Sequence, residues 1–480
     1  MPQRSSRRRF LKGTALAVAA LTARAAWSPL RAQALSSESV IVIGAGLAGL
    51  AAAHRLRAAG RRVTVLEARA VPGGRVRTVR APFDDGLHGE AGAARISEAH
   101  TTTLARVKEL GLTLAPFAET EGAALLVLQG RRYRASDGAS LGDAPLDLHP
   151  QERGLGPAAL LRHYAGAAIA ELGEPAPNAA SYQRWQDYDR LTWPQWLQAR
   201  GASEDAVALM TLGGDPKELS ALYVLRQIAL HSGAHRYYAV QGGMDLLPKA
   251  LAARLGDSVK YNVAVVGIDH SRDGVQVSYN ENGRAGTLAA DRLVLTVPFS
   301  ALRNIDIRTP FAADKMEAID GLSYYPATRF LFQTPERPWR TAGLSGAART
   351  DYAVETWDAA AGQSGTHGML SATVGGRMDG ALARLDGNAR VRAGRKMLAQ
   401  AFPDAEAAIE RTVTLRWDDE PWARGAFAAF RPGQLTALMP TIARSEGRVH
   451  FAGEHTSAWP GWMEGALQSG ERAAQEILSR

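Results

Sequence analysis

Hydrophobic residues near the start of the sequence form two short runs separated by a helical pattern. Residues 40–43 and 63–66 are apolar and mostly β-branched, which is typical of strands buried in a parallel sheet. Between the two runs, Leu47 to about Ala59 has a helical pattern, and Gly60 ends it. The order strand, helix, strand predicts a βαβ unit and therefore an α/β domain.

The turn between the first strand and the helix has the pattern G-x-G-x-x-G. Gly44 permits a tight turn, Gly46 lets a pyrophosphate approach the backbone, and Gly49 allows close helix packing. The start of the helix then offers free N–H groups and positive potential to phosphates. Glu67 ends the second strand, where its carboxylate can accept hydrogen bonds from a ribose diol. The alternative, an ordinary glycine-rich turn, does not account for the acid.

The last residues of the chain repeat the order of a strand followed by a helix. Val449 to Ala452 is an apolar run, Gly453 and Glu454 follow it, and a helical pattern extends from about Trp462 to Leu478. The start of this helix would point at whatever lies over the strand ends, and its dipole would stabilise negative charge there.

The middle of the chain contains helical patterns and then strands. Residues 150–235 are predicted to be helical, with a capping box and a proline in the first turn at Thr192 to Gln195 and a further helix over Leu219 to His231. Two buried strands are predicted at 263–269 and 292–297. The segments 328–333, 369–374 and 412–417 alternate like strands of an antiparallel sheet.

The formal net charge of +8 is concentrated at the start of the chain. The first 34 residues carry seven basic residues and no acid, so the remaining 446 hold 49 basic and 48 acidic residues. A nearly neutral protein has no polyelectrolyte character, which argues against nucleic acid as a partner. The length of 480 residues favours two or three packed units.

Residues 1–34 resemble a twin-arginine signal peptide. Ser6 to Gly13 reads SRRRFLKG, an uncharged stretch covers 14–23, and Ala32-Gln33-Ala34 fits a cleavage site. This predicts interaction with the twin-arginine export machinery, export in folded form, and a periplasmic or secreted protein. The alternative is a basic disordered tail. No later run of about 18 apolar residues follows, so no membrane span is expected.

The chain contains no cysteine, which excludes disulfides, thiolate chemistry and any cysteine-linked cofactor. The eleven histidines show no H-x-x-x-H or H-E-x-x-H pair, so no metal site is expected.

Two motifs carry a resemblance to a known family. Residues 67–75 read E-A-R-x-x-x-G-G-R, similar to the second fingerprint of FAD-containing amine oxidases. The C-terminal segments FAGE, GWMEGA and SGxRAA resemble the flavin motif of the monoamine oxidase and L-amino acid oxidase family, and most closely bacterial L-amino acid oxidases. The resemblance spans about residues 38–480 and is weakest in the middle.

This resemblance implies an α/β fold with a glutathione-reductase-like (Rossmann-type) FAD-binding domain, an inserted α+β substrate domain and a helical subdomain. The expected segments are 38–93, 239–310 and 441–480 for the FAD domain, 94–149 and 311–440 for the substrate domain, and 150–238 for the helical subdomain. Homodimers are common in the family, so a homodimer is possible here.

The resemblance also implies the residues that bind FAD. They are Gly44, Gly46, Gly49, Glu67, Arg69, Gly74, Arg75, Ala94, Arg95, Val265, Gly453, Glu454, Trp462 and Met463. Arg75 can reach the cofactor phosphates as a planar donor fork, and Val265 would contact the adenine side through its backbone. Ala426 stands where covalent relatives have a cysteine, so the FAD should be bound non-covalently.

Three further site residues follow from the family pattern. Trp462 and Phe427 match the two walls that flank the substrate nitrogen, although either could simply be core packing. Arg329 stands where many relatives have a lysine that holds a water against the flavin. Arginine is bulkier and does not deprotonate, so it either holds that water as a fixed cation or alters the reaction with dioxygen. A dehydrogenase with another electron acceptor therefore stays possible.

Arg95 bears on the choice between amine and amino acid. Gly92-Ala-Ala-Arg95-Ile-Ser97 resembles the segment of L-amino acid oxidases whose arginine binds the substrate α-carboxylate, and a guanidinium suits two-point recognition of that group. Ser97 is a plausible N-cap for the helix that follows. The alternative is that Arg95 pairs with Glu90 or Glu98. The second carboxylate partner aligns near Trp357, whose indole can only donate, which weakens this interpretation.

The expected function is oxidation of L-amino acids by dioxygen to 2-oxo acids, with release of ammonia and hydrogen peroxide. The alternatives are a primary-amine or polyamine oxidase of the same fold, or the dehydrogenase. In each case the cofactor carries out the oxidation, and the protein positions the substrate carbon and excludes water.

Overall fold

The computed structural model describes residues 38–117, 120–135, 144–173, 179–233 and 236–479. The proposed signal peptide at 1–34 lies outside these residues. Glu38–Arg480 forms one compact unit, and the division of this unit into cofactor, substrate and helical parts stays a prediction. Within the described ranges, every helix is too short or too polar to cross a membrane.

The α-helices of the described residues are distributed along the whole chain. In chain order they are α1 (Leu47–Ala58), α2 (Thr101–Glu109), α3 (Pro157–Leu172), α4 (Gln186–Asp189), α5 (Trp193–Gln198), α6 (Glu204–Met210), α7 (Ala221–Leu230), α8 (Leu246–Leu255), α9 (Phe299–Leu302), α10 (Ala313–Gly321), α11 (Pro338–Thr341), α12 (Gly376–Leu382), α13 (Gly387–Ala401), α14 (Pro403–Ala407), α15 (Gln434–Ile442) and α16 (Met463–Leu478).

The strands of the same residues alternate with these helices. They are β1 (Ser39–Ile43), β2 (Arg62–Leu66), β3 (Thr78–Val79), β4 (Gly89–Glu90), β5 (Ile96–Ser97), β6 (Leu114–Pro116), β7 (Ala123–Leu128), β8 (Arg131–Ala135), β9 (Tyr237–Val240), β10 (Val259–Lys260), β11 (Val263–His270), β12 (Val275–Glu281), β13 (Arg284–Ala290), β14 (Arg292–Leu295), β15 (Asp306–Ile307), β16 (Tyr324–Tyr325), β17 (Ala327–Thr334), β18 (Leu344–Thr350), β19 (Val354–Asp358), β20 (Gly368–Gly375), β21 (Arg411–Arg416), β22 (Phe427–Ala428) and β23 (Val449–Phe451).

A five-stranded parallel sheet contains both ends of the described chain. Its order is β10-β2-β1-β14-β23, so β23 from the last residues lies two strands from β1. α16 packs tightly on α1, because a Cβ added to Gly470 would lie 2.1 Å from the carbonyl oxygen of Ala48. The predicted βαβ unit and C-terminal strand and helix are confirmed, and the N-termini of α1 and α16 lie near the carboxyl ends of the parallel strands.

Two other sheets complete the β structure near the cavity. β11 to β13 form an antiparallel sheet with β15 at its edge. The larger sheet has seven strands in the order β21-β17-β20-β19-β18-β7-β8. It contains all three strands predicted at 328–333, 369–374 and 412–417, paired antiparallel as expected. Only β7 and β18 in this sheet pair in parallel.

Helices α3 to α7 lie within residues 150–235, the region predicted to be helical. Thr192 and Gln195 form the expected capping box at the start of α5. Trp193 and Trp196 stack with ring centroids 5.5 Å apart and are fully buried, so they are core residues.

The prediction that Ser97 caps the next helix is wrong. Ser97 belongs to β5 and pairs with Tyr237 of β9. α2 begins only at Thr101, and the buried carboxylate of Glu464, on α16, accepts hydrogen bonds from the backbone N–H groups of Thr102 (2.9 Å) and Thr103 (2.8 Å). The first turn of α2 is therefore capped from a distant helix. A local sequence pattern cannot predict such a cap.

Candidate functional site

A cavity of about 1000 Å³ extends from the turn after β1, past the N-terminus of α16, to the face of the seven-stranded sheet and the helical region. With the exception of Gly49, every site residue predicted from the sequence lines this cavity. Residues as far apart in the sequence as Gly44 and Met463 therefore line one cavity.

The glycine turn has the geometry that its pattern predicts. Gly44 has φ +102°, a conformation that favours glycine. A Cβ on Gly49 would lie 2.0 Å from the carbonyl oxygen of Gly44, so α1 sits directly on the turn. A Cβ on Gly46 would meet no protein atom within 4 Å, because the space beside it is the cavity. This open turn beside a helix N-terminus fits a diphosphate.

Glu67 is held beside this turn by backbone donors. Its carboxylate accepts hydrogen bonds from the N–H groups of Ala45 (2.7 Å) and Arg69 (2.9 Å). Burial raises the pKa of Glu67, although the two N–H groups oppose that shift. The carboxylate lines the cavity and keeps acceptor capacity for a ribose.

Arg69 and Arg75 are both tied to the protein by hydrogen bonds. Arg69 donates from Nη1 to the carbonyl oxygen of Gly74 at 3.0 Å. Arg75 donates from Nη1 to Glu454 at 2.7 Å. The predicted contact of Arg75 with cofactor phosphates stays a prediction, and the ion pair shows a role that sequence reasoning missed.

Glu454 joins three segments at the cavity wall. Besides Arg75, its carboxylate accepts from the N–H groups of Gly461 (2.6 Å) and Ala428 (3.2 Å). Four other residues predicted to bind the cofactor, Ala94, Val265, Gly453 and Met463, line the cavity and are buried. Trp462 is the N-cap of α16, so the positive end of that helix faces the cavity.

Phe427 and Trp462, the two predicted aromatic walls, are both fixed by neighbours that the sequence did not reveal. β22 pairs with β16 so that Phe427 lies opposite Tyr325, and the two rings stack 5.1 Å apart at 15°. The indole Nε1 of Trp462 donates to the Oε1 of Gln227 on α7 at 3.1 Å.

The face of the seven-stranded sheet forms the floor of the cavity. Arg329 of β17 lies opposite Thr373 of β20, which lies opposite Glu355 of β19. All three side chains line the cavity. The sequence analysis missed Thr373 and Glu355. Alternation along the strands could have placed them on the face of Arg329, but the order of the strands was not predictable.

Arg329 is held tightly on this floor. Its Cζ lies 4.4 Å from the centroid of the Trp357 ring, and Nη1 donates to the hydroxyl of Ser371 at 3.3 Å. Burial lowers the pKa of Arg329 to about 10, so it stays charged at neutral pH. Trp357 thus stacks on a neighbouring arginine, and its predicted contact with a substrate carboxylate stays a prediction.

Glu355 is surrounded by arginines. Its Oε1 lies 3.5 Å from the Nη2 of Arg349. Burial works to raise the pKa of Glu355, but the charge of Arg95 opposes this most strongly, followed by those of Arg349 and Arg329. The net effect is a lowered pKa, so Glu355 is ionised at neutral pH. Of these three arginines, Arg95 and Arg329 line the cavity with Glu355, whereas Arg349 does not.

Arg95 lines the cavity beside two aromatic rings. Its Cζ lies 5.3 Å from the centroid of the Tyr237 ring and 6.0 Å from that of Trp462. In the described parts of the chain, Arg95 makes no hydrogen bond or ion pair with another residue.

The two acids considered as partners of Arg95 are engaged elsewhere. Glu90 accepts from the hydroxyl of Thr78 and the N–H of Met244, and Glu98 pairs with Arg236 at 2.9 Å. The guanidinium donors of Arg95 are therefore available to a ligand.

Two histidines lie next to Trp462. His231 donates from Nδ1 to the carbonyl oxygen of Gln227 at 2.9 Å, and its ring centroid is 4.5 Å from that of Trp462. Burial lowers the pKa of His231, and that of His100 to about 3. Both rings are therefore neutral at neutral pH. His231 also lines the cavity.

One cluster outside the cavity has the residue types of a metal site. Ligand atoms of Asp84, His367 and Glu410 lie within 4.8 Å of one another. The guanidinium of Arg411 also lies 3.3 Å from Asp84 and already supplies a cation there. The expectation of no metal site stays a prediction.

Comparison with known proteins identifies the sequence family. Residues 47–478 match the model of the family described as flavin containing amine oxidoreductase. A putative L-amino-acid oxidase of Bacillus subtilis, YobN, is 30% identical over 453 residues, which cover 91% of this chain and 94% of the relative. An L-amino-acid oxidase of Siganus canaliculatus is 30% identical over 463 residues, covering 92% and 85%.

Solved structures of amine oxidases share the fold. Wild-type putrescine oxidase bound to putrescine superposes with a TM-score of 0.79 at 25% identity, covering 92% of this chain and 99% of that one. Cyclohexylamine oxidase from Brevibacterium oxydans gives a TM-score of 0.77 at 26% identity, covering 92% and 100%.

Proposed function

Because this chain belongs to the flavin-containing amine oxidoreductase family, we propose that it is a flavin-dependent L-amino acid oxidase. The family and its flavin cofactor are the premise, and the choice of amino acids over amines is the proposal. Arg95 carries that choice, since its guanidinium faces the cavity and makes no hydrogen bond or ion pair with an acid among the described residues, although its charge acts on Glu355.

We propose that FAD lies along this cavity. The open turn at Gly46 and the N-terminus of α1 would hold the diphosphate, and Glu67 would accept from the ribose. The N-terminus of α16 would lie at the flavin ring. We propose non-covalent binding, because the chain has no cysteine and carries Ala426 at the position of covalent attachment in relatives.

A charged side chain would bind the substrate carboxylate, and aromatic side chains would surround the reacting carbon. Arg95 would bind the α-carboxylate through two N–H donors, and its charge is held in place by the rings of Tyr237 and Trp462. Phe427 and Trp462 would confine the reacting carbon, and the buried neutral rings of His231 and His100 would add no charge beside the amine. A site closed by these rings excludes water during the oxidation.

The bound flavin would supply the redox chemistry, accepting a hydride, that is two electrons and one proton, from the carbon that bears nitrogen. Water then adds to the resulting imine and ammonia leaves. Each turnover consumes one amino acid, one water and one dioxygen. It yields one 2-oxo acid, one ammonia and one hydrogen peroxide, because dioxygen takes up the two electrons and two protons.

The charge of the cavity supports an anionic group over a second cationic group. Arg95 and Arg329 line the cavity beside Glu355, and the charge of Glu355 is further opposed by Arg349 at 3.5 Å. A substrate carboxylate would meet attraction there. An amine without a carboxylate would leave Arg95 unpaired in a partly buried site.

The second candidate is oxidation of a diamine or polyamine. One observation favours it: the ionised carboxylate of Glu355 lines the cavity and could bind a distant ammonium group. The similar putrescine oxidase structure carries putrescine. The ion pair of Glu355 with Arg349 weakens this alternative, because Arg349 already balances the negative charge of that carboxylate.

A substrate panel on the purified holoprotein separates these functions. L-amino acids, their decarboxylated amines and diamines are offered both with dioxygen, measuring peroxide, and anaerobically, measuring loss of flavin absorbance. Peroxide with L-amino acids supports the proposal. Peroxide with diamines alone supports the second candidate. Anaerobic bleaching without peroxide indicates a dehydrogenase with another acceptor, and flavin that no amino acid or amine bleaches excludes all three.

We also propose that residues 1–34 direct export of the folded holoprotein. The sequence pattern of a twin arginine, an apolar stretch and a small-residue cleavage site supports this. Replacing Arg7 and Arg8 by Lys should keep the protein in the cytoplasm with its signal uncleaved. Cell fractionation of flavin-bearing protein measures this, and unchanged export would refute it.

A further inference from the structure

We propose that Gln227 is a positioning residue that holds the indole of Trp462 and, through it, the guanidinium of Arg95. This inference rests on the proposed function, since it assigns Gln227 a part in binding the substrate carboxylate. Gln227 lies on α7, outside the cofactor motifs and more than 230 residues from Trp462 in the sequence.

The oxygen and the nitrogen of the Gln227 amide both form hydrogen bonds with the segment that precedes α16. Its Oε1 accepts from the indole Nε1 of Trp462 at 3.1 Å, and its Nε2 donates to the carbonyl oxygen of Pro460 at 3.0 Å. An indole N–H can only donate and a carbonyl oxygen can only accept. Only one orientation of the amide satisfies both groups, so Gln227 fixes the loop and the ring together.

The neighbours of Gln227 on α7 contact the same loop. Arg226 is fully buried and donates from Nη2 to the carbonyl oxygen of Ala458 at 2.5 Å. His231, one turn further along, packs its ring 4.5 Å from the ring of Trp462. α7 therefore contacts residues 458, 460 and 462, and the polar contact to the Trp462 side chain comes from Gln227.

Trp462 needs this support because of its place in the chain. It follows Gly461, whose φ of +86° is a left-handed turn, and it is the N-cap of α16 with extended backbone angles. A residue at such a position is not restricted by a preceding helical turn. The bond to Gln227 selects one direction for the indole.

The position of the indole then affects Arg95. The Cζ of Arg95 lies 6.0 Å from the centroid of the Trp462 ring, and the Arg95 side chain makes no hydrogen bond or ion pair in the described chain that would hold it instead. Without the bond to Gln227, the indole can turn away from that side of the guanidinium. Binding of a carboxylate should weaken as a result.

The test is titration of the holoprotein with benzoate, a carboxylate that cannot be oxidised, followed by changes in flavin absorbance. Gln227→Met keeps the length of the side chain and removes both hydrogen bonds. It should raise the Kd for benzoate about 2- to 10-fold, as expected for the loss of one neutral hydrogen bond at the site. Flavin content and melting temperature are measured on the same samples.

A matched control lies in the same region. Gln183 donates from its Nε2 to the carbonyl oxygen of Thr436 at 3.0 Å and is not part of the cavity lining. Gln183→Met should leave the Kd for benzoate unchanged. A second variant, Gln227→Glu, keeps the acceptor for the indole and loses the donor to Pro460 until its carboxyl group is protonated. Its benzoate affinity should approach that of wild type as the pH is lowered. Loss of the introduced charge contributes to that recovery, so the comparison of Gln227→Met with Gln183→Met decides.

Unchanged benzoate affinity in Gln227→Met, or equal losses in Gln227→Met and Gln183→Met, would overturn the inference. So would wild-type holoprotein that does not bind benzoate. The titration needs no turnover, so its result is independent of the substrate panel. A protein that binds benzoate through this arrangement but oxidises only amines would refute the proposed function and leave the role of Gln227 intact.

Discussion

Arg75 and Glu454 form an ion pair with an N–O distance of 2.7 Å, although 379 residues separate them in the sequence. The pair joins the last residue of the second fingerprint to the segment before α16. Glu454 also accepts from two backbone N–H groups, so one carboxylate holds together three segments that line the cavity. Its side chain is 7% exposed, which makes its loss costly.

Glu454→Ala should destabilise the protein by about 3 kcal/mol, since it leaves Arg75 and two N–H groups without their acceptor. It should also weaken retention of flavin, measured by absorbance after gel filtration. Denaturant unfolding measures the stability. The control is Asp187→Ala, which removes an exposed ion pair with Arg190 and should change stability by less than about 0.5 kcal/mol. Equal effects of the two substitutions would contradict the joining role.

Gly49→Ala should prevent binding of the cofactor. The added Cβ would lie 2.0 Å from the carbonyl oxygen of Gly44, so α1 must move away from the turn. The purified variant should contain little flavin. Gly166→Ala, also within a helix, is the matched control, because its Cβ would meet nothing within 4 Å. It should keep its flavin and gain up to about 1 kcal/mol of stability. Full flavin content in Gly49→Ala would show that cofactor binding does not depend on the close packing of α1 against the turn.

The charge of Glu355 should appear in the pH dependence of stability. Because its pKa is lowered in the folded protein, the ionised form stabilises the fold above the unfolded pKa of about 4.3. That contribution is lost as the pH falls through the folded-state pKa. The stability difference between wild type and Glu355→Gln should therefore be constant from pH 5 to 8 and shrink at lower pH. Denaturant unfolding at several pH values measures it, and a difference that grows at low pH would refute the assignment.

Much of the cofactor site could be predicted from the sequence, because its motifs are local. The turn at Gly44 to Gly49, the acid at Glu67 and the helix after Trp462 each depend on residues a few positions apart. The structure confirms their secondary structure and brings them to one cavity.

The substrate end could not be predicted in the same way, because it depends on long-range pairing. Glu355 reaches the floor through the order of β17, β20 and β19, and Gln227 reaches Trp462 from a helix far away in the sequence. The wrong N-cap prediction at Ser97 has the same cause. Its local pattern fits an N-cap, yet the buried carboxylate of Glu464 takes that place.

The central claim is that Arg95 binds a substrate carboxylate, and Arg95→Met tests it most directly. The measurement is kcat/KM for L-phenylalanine and phenethylamine, and for L-leucine and 3-methylbutylamine, in wild type and variant. Loss of a charge-assisted bidentate contact should reduce kcat/KM for the amino acids about 10- to 150-fold, mainly through KM, and change the values for the amines far less. Equal reductions for amino acids and their matching amines would contradict the account.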